Sequence, residues 1–308
     1  MTAAPDPPVH RLPAQTVHLP FEAGPHRMTM GLVAVPAAAW FEIDARYPDD
    51  MAERRRLLAE RHGAVFAALP VSDPARCEAL AMVVATLTAA FPRWFARDDN
   101  GLHNRLTGER WDLAAPPCDP LELAGRLVQE DLCLVQPGDA GPVFTAGVLC
   151  FPSRWRLHEK IGQTLAAVHG PVPAYADVLA APVDRFMARI GAGHIVVRRN
   201  WSVVDDAALF QPEGHGRADF NTAITPENAG ATLFLRVERQ TLRRLPETGA
   251  VLFGIRVHVY PLAVAIRDAA TAARLAAALR ALPDDIAAYK SLGTFREALL
   301  AWLDRQGP

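Results

Sequence analysis

What this sequence lacks narrows its chemistry before anything it contains is read. There is no excess of charge of one sign: 32 Lys plus Arg stand against 34 Asp plus Glu. No overall field therefore recruits a polyanion such as nucleic acid, and any basic site has to be local. Cysteine is scarce, and Cys77, Cys118, Cys133 and Cys150 are spaced too widely for a zinc ribbon or for an iron–sulfur cluster held by one loop. They read as reduced core thiols. Long hydrophobic runs are missing too. The longest, Ala79 to Phe91 between Glu78 and Arg93, is well short of the roughly 20 residues that a bilayer crossing needs. The opening MTAAPDPPVHRLPAQ has three prolines among its first eight residues and no apolar core, which predicts a disordered arm over residues 1–25 rather than a secretory leader. A soluble, cytoplasmic protein with neither nucleic acid nor membrane as partner is the expectation. Also absent are a Gly-rich dinucleotide fingerprint, a phosphate-binding P-loop, a nucleophile elbow and an HExxH helix. If redox chemistry occurs here, the nicotinamide and flavin steps belong to another chain.

What remains is a chain of 308 residues, half of them hydrophobic, long enough to bury a sizeable core. MTMGLVAV (residues 28–35) predicts a strand, and helical spacing runs from Asp50 to Leu69. A second helix is marked by Ser72 and Asp73 as caps, by Pro74 in its first turn and by Pro92 beyond its end. Residues 98–120 are rich in turn formers and read as irregular. Strands follow over 131–135 and 143–151, separated by PGDAGP, then helical patterns over 156–168 and 176–190. Three further strands are predicted over 194–203, 231–238 and 251–260, and Ala-rich helices close the chain, the last with a capping box in Thr294 and Glu297. Hairpins and helices are segregated, which argues for an α+β fold around an antiparallel sheet, in one domain with helical extensions.

Alternation along a strand sends successive side chains to opposite faces. Arg198 thus shares a face with Asn200, Arg236 with Glu238, and Arg256 with His258 and Tyr260, while residues between them are mostly apolar. Three strands would then present one polar surface, either solvated, as in many antiparallel sheets, or covered by helices and lining a pocket. Glu130 and Asp131 are adjacent carboxylates that alternation points apart, so they cannot form a simple acid–base pair. Ion pairing within the sheet is the plain account of the charged RRNWS and RVERQTL segments.

One histidine stands out. His169 ends a helical pattern and is followed by GPVP, where prolines restrict the backbone and remove donors. A side chain so held suits an axial metal ligand, and one histidine is enough for haem iron because the porphyrin supplies the other four nitrogens. A structural histidine at a helix end is the alternative. Just upstream, PSRWRLHEKIG gathers Arg154, Trp155, Arg156, His158 and Lys160, which would anchor a cofactor bearing carboxylates or phosphates, or else form a solvated helix start. His158 and Cys150 are lesser ligand candidates.

The blocks LVQEDLCLVQ, AGVLCFPSRWRLHEKIGQ, HGPVPAY, RRNWS, LRVERQTLRRLPETGAVLFGIRVHVYPL and YKSLG together resemble the haem-dependent oxidative N-demethylase family over most of residues 26–303. The resemblance implies a Per-ARNT-Sim-like fold over residues 26–308, with a five-stranded antiparallel sheet, flanking helices and helical extensions at both ends. It implies haem b on an axial histidine, here His169, with Arg154, Trp155, Arg156 and Lys160 as candidates to hold the cofactor. The implied activity is oxidative demethylation of a small secondary amine such as dimethylamine by dioxygen, giving formaldehyde and a primary amine. Electrons would come from NADPH through FMN and a [2Fe–2S] cluster on separate reductase subunits, with a tetrahydrofolate-binding subunit as a further partner. Glu238, Arg198 and Asn200 are the candidates for the distal, catalytic side. Arg239 belongs to the same block, but alternation sets it opposite Glu238 unless a bulge intervenes. A non-catalytic haem sensor and a haem-less structural subunit are the competing readings.

Overall fold

The three predicted strands in the second half of the chain become long because β-branched and apolar residues alternate with polar ones for ten residues or more. In the computed structural model, which describes residues 11–98, 101–213 and 221–307, the strands are β1 (Val33–Val35), β2 (Phe66–Ala68), β3 (Phe95–Asp98), β4 (Gly101–Asn104), β5 (Glu109–Asp112), β6 (Asp131–Gln136), β7 (Val143–Val148), β8 (Ile195–Val204), β9 (Phe234–Arg244) and β10 (Val251–Pro261). The architecture is α+β. Its main sheet is antiparallel and has seven strands, not five, in the order β1-β8-β9-β10-β6-β7-β2. The two additions are three-residue strands at the edges. A second, three-stranded sheet, β3-β4-β5, occupies the segment expected to be irregular; its strands are four residues each, too short to show a period among turn formers.

Other expectations shift for local reasons. Of the predicted arm, residues 1–10 lie outside the described residues, whereas the following segment is packed. His18 and Phe21 are buried, and Thr16 O accepts a hydrogen bond from the Tyr260 hydroxyl at 2.6 Å. The long helix expected over 156–168 is a 3-10 turn, Leu157–Glu159, and one short helix, Leu165–Val168. The last helix, Arg296–Asp304, has no side-chain cap; Thr294 instead donates to Ser291 O at 3.1 Å. Ser72 likewise donates to Leu69 O and caps nothing, although Pro74 does sit in the first turn of the Asp73–Ala90 helix. No helix among the described residues is long and apolar enough to cross a membrane.

The β8–β9–β10 register divides the sheet into two unlike faces. Asn200 pairs with Glu238 and Glu238 with Val257, so the front carries Arg198, Asn200, Arg236, Glu238 and Gln240 alongside Ile255 and Val257. The back carries Leu235, Val237, Arg239, Arg256, His258 and Tyr260. The single polar surface expected from three strands is therefore corrected: Arg256, His258 and Tyr260 lie opposite Glu238.

Most of the back is packed. One core cluster joins Leu80, Val83 and Leu87 of the Asp73–Ala90 helix to Leu132, Leu134 and Leu252. A second joins Leu275 and Leu279 of the Ala269–Arg280 helix and Leu299 of the last helix to Val203, Leu235 and Val237. Each such leucine contributes about 1.5–3 kcal/mol by leaving water. On the front a smaller cluster, Leu165, Met187 and Ile190 over Val135 and Val251, covers one end of the sheet only.

Candidate functional site

The front of β8, β9 and β10 is the part of the sheet left incompletely covered. Val196, Leu242 and Phe253 form an apolar row across the three strands, and each is only half-buried. Arg198 and Gln240 form the next row, then Asn200 and Glu238, all half-buried as well. Leu165 and Phe186, from the helical segment between β7 and β8, pack in one cluster with Val196 and Leu242 of that row. That segment delivers His169, four residues after Leu165.

The imidazole of His169 is fixed by its own turn. Nδ1 lies 2.8 Å from Leu165 O, which makes it the donor nitrogen and leaves Nε2 with a lone pair. Burial lowers its pKa against the raising effect of that hydrogen bond, with Arg198 and Lys160 nearby lowering it further, so the ring is neutral and fit to ligate. Tyr175, in the HGPVPAY block, stacks on it with centroids 4.5 Å apart and an interplanar angle of 11°. Its hydroxyl is buried with no hydrogen-bond partner among the described residues, and burial chiefly pushes it up to about 12. Arg198 makes no hydrogen bond to a described residue. Its pKa is lowered by burial, with Glu238 and Tyr175 acting in the opposite direction.

Glu238 is held from several sides. Its Oε2 accepts from Gln240 Nε2 at 2.9 Å and from Asn200 Nδ2 at 3.4 Å. Lys290 Nζ donates to Trp201 O at 2.6 Å and Asn200 Oδ1 at 3.4 Å, so the ammonium orients the amide that in turn faces the carboxylate. Burial brings Lys290 down to about 8, while Glu238 pulls it up. Tyr289 is raised, by burial first and by the Glu238 charge second. Glu238 Oε1 has no hydrogen-bond partner among the described residues.

Of the residues singled out in the sequence, the structure thus brings His169, Arg198, Asn200 and Glu238 to one face, with Lys160 beside them through a 2.8 Å bond from its Nζ to Val168 O. The rest of the basic block goes elsewhere. Arg156 is paired at the surface with Glu159 and Glu213, and His158 is exposed. Trp155 packs edge-on to Phe144. Arg154, with a left-handed φ of 63°, donates to Lys290 O at 3.0 Å. Cys150 is buried, and burial pushes its thiol up to about 12. Arg239 does point away from Glu238: on the back it donates to Trp40 O at 3.0 Å and to Ala39 O, and pairs with Glu42. Arg236 is a buried tie, giving hydrogen bonds of 2.9–3.1 Å to the carbonyls of Phe151, Pro152, Ala208 and Leu209.

Sequence reasoning missed Tyr175, Gln240, Tyr289 and Lys290. The first three sit in or beside quoted blocks, and Lys290 is the lysine of YKSLG, but nothing in their spacing assigned them a partner.

An apolar row, a histidine with a free ring nitrogen, a buried tyrosine hydroxyl and a clamped carboxylate thus come to one face of the sheet. Residues 31–300 match the family model described as haem-dependent oxidative N-demethylase, alpha subunit-like, and by this match over most of its length the chain belongs to that family.

Proposed function

We propose that this chain is a haem-binding Per-ARNT-Sim-type subunit that demethylates a small secondary amine, with dimethylamine as the model substrate. The observation that carries the reading is the row of half-buried polar residues Arg198, Gln240, Asn200 and Glu238 on the front, with His169 delivered to the same face. The fold reading is supported by the five central strands β8-β9-β10-β6-β7, with a helical segment laid over one face between β7 and β8. The extra two strands are edge additions.

His169 Nε2 would hold the haem iron, with Val196, Leu242 and Phe253 available as apolar contacts and Tyr175 stacked on the imidazole. When bound, the haem b supplies the dioxygen chemistry that oxidises the methyl C–H, so that the methyl leaves as formaldehyde and a primary amine remains. The chain's own residues bind and orient. Glu238 takes an N–H of the ammonium on its free Oε1, while Asn200 and Gln240 fix Oε2 and Lys290 fixes Asn200. Charge pairing of this kind selects a cation and sets its methyl group in one direction. Arg198, whose charge acts on both the histidine and the carboxylate, would be the hydrogen-bond donor available to the cofactor. Electrons arrive from NADPH through FMN and a [2Fe–2S] cluster on partner subunits, and a tetrahydrofolate-binding subunit receives the formaldehyde.

The test is spectroscopic first. Protein expressed with haem available should show a Soret band that His169→Ala abolishes, and a dimethylamine-induced shift that Glu238→Gln weakens. Exchanging a charge-assisted hydrogen bond for a neutral one costs about 1–2 kcal/mol, so amine affinity should fall roughly 5- to 30-fold with haem content unchanged. A colourless wild-type protein would overturn the haem reading. Haem-loaded protein that releases no formaldehyde from a panel of amines, given oxygen and a reductant, would leave a sensor.

A further inference from the structure

On the back of the sheet, three segments far apart in the sequence converge on one point. Glu42 Oε2 lies 3.2 Å from His18 Nε2 and 3.0 Å from His258 Nε2, and the three ligand atoms all lie within 4.8 Å of one another. The two rings meet at 66° with centroids 4.8 Å apart, so both Nε2 atoms face the same carboxylate oxygen. His18 is 9 % exposed and His258 1 %, but the Glu42 side chain is 27 % exposed, which leaves a way in.

The surroundings hold these groups as ligands are usually held, from outside. Arg239 Nε pairs with the other Glu42 oxygen at 3.0 Å, and Glu42 N donates to Glu130 Oε1 at 3.1 Å. Gln15 Nε2 lies 3.3 Å from His258 Nδ1; with its amide turned over, Gln15 accepts from that nitrogen and leaves Nε2 free. The charges around the triad are largely paired: the buried guanidinium of Arg256 lies 3.1 Å from both Asp44 and Asp50, and Arg46 reaches Asp50 from the rim at 3.7 Å. Glu130 is fully buried, and its Oε2 has no hydrogen-bond partner among the described residues.

We propose that His18, Glu42 and His258 bind one divalent transition-metal ion of the zinc class, separate from the haem site, which fastens residues 15–21 to the sheet. Two imidazoles and a carboxylate suit a borderline cation, and the exposed side of Glu42 leaves a fourth position for water. A dication would be held by both imidazole Nε2 atoms and the Glu42 carboxylate together.

The experiment uses the full chain, stripped with a chelator and then titrated with zinc. Calorimetry and elemental analysis should give one zinc per chain in addition to any iron. Zinc should raise the melting temperature and slow amide exchange over residues 15–21. His18→Ala and Glu42→Gln should each lose the bound zinc and both zinc-dependent effects; His18 lies on the outer strap, so its variant keeps the sheet intact. No saturable zinc in the wild type would overturn the proposal and leave a hydrogen-bonded triad. Equal zinc in wild type and both variants would overturn it too, by placing the metal at surface groups such as the exposed Cys77.

Discussion

The buried pair Arg54–Asp131 gives the sharpest stability prediction, because both side chains are 0 % exposed and every bond can be followed through a substitution. Arg54 Nη1 meets Asp131 Oδ1 at 2.9 Å and Nη2 meets Gln129 O at 3.1 Å. Asp131 also accepts from the backbone of Cys150 on Oδ1 and of Phe151 on Oδ2, each at 2.8 Å. In Asp131→Asn the amide can keep its oxygen at the first position, but its NH2 then faces the Phe151 N–H, donor against donor. Losing that bond costs about 1–3 kcal/mol, and leaving a buried guanidinium unpaired costs about 3–5 kcal/mol. Arg54→Met strands the carboxylate instead, though two backbone donors still hold it, so its loss should sit near the lower end of about 3–5 kcal/mol. Its pH dependence has a defined sign. Burial already raises the Asp131 pKa while Arg54 lowers it; without Arg54 it rises further, and the folded state takes up a proton more readily than the unfolded one. The Arg54→Met deficit should therefore be greatest at high pH and shrink as pH falls through the folded-state pKa. Urea midpoints for both single variants and the double variant would measure this. Coupling should exceed about 1 kcal/mol, since the partners share one network. Additive losses, or an Arg54→Met loss within about 0.5 kcal/mol of zero, would refute the reasoning.

Three more outcomes are expected. Burial pushes Glu130 up to about 7, against the opposing charges of Arg256 and Arg239; its contribution is therefore present at low pH and lost as pH rises from its unfolded value through about 7. In metal-stripped protein, urea midpoints of Glu130→Gln should lack that decline. Tyr175→Phe removes a buried hydroxyl that has no hydrogen-bond partner among the described residues, so the haem-free protein should melt at the same temperature or slightly higher, and a clear drop would show the hydroxyl to be satisfied within the chain. Arg239→Met should lower the urea midpoint while leaving amine affinity within twofold, the reverse of Glu238→Gln; equal effects on affinity would mean that both residues serve one pocket.

The long strands were legible because alternation persists for ten residues, and it placed Arg239 opposite Glu238 correctly. Alternation says nothing of how neighbouring strands are aligned. The faces of β9 and β10 are set by the turn over residues 245–250, where Gly249 takes a φ of 71° and Glu78 accepts from the backbone of Glu247 and Thr248. A one-residue difference there decides whether His258 joins Glu238 or faces away. The His18 segment was illegible for another reason: its prolines forbid regular structure, and its burial comes from side chains more than 200 residues away, such as His258 and Tyr260. His169 was visible through its prolines, whereas Lys290 had only a bland helix end to announce it.

On the proposed reading, that alignment gives the back of the sheet a part in choosing the substrate without touching it. Were β9 to slip by one residue between its neighbours, Arg239 would turn to the front and Glu238 to the rear, and the proposed ammonium site would exchange its carboxylate for a guanidinium. What forbids the slip is the packing of Leu235 and Val237 and the hold of Arg239 on Trp40. The sign of charge accepted on one side is thus guarded by apolar contacts on the other, and variation in those hidden residues is a route by which relatives could change their ligand while keeping every lining residue in the sequence.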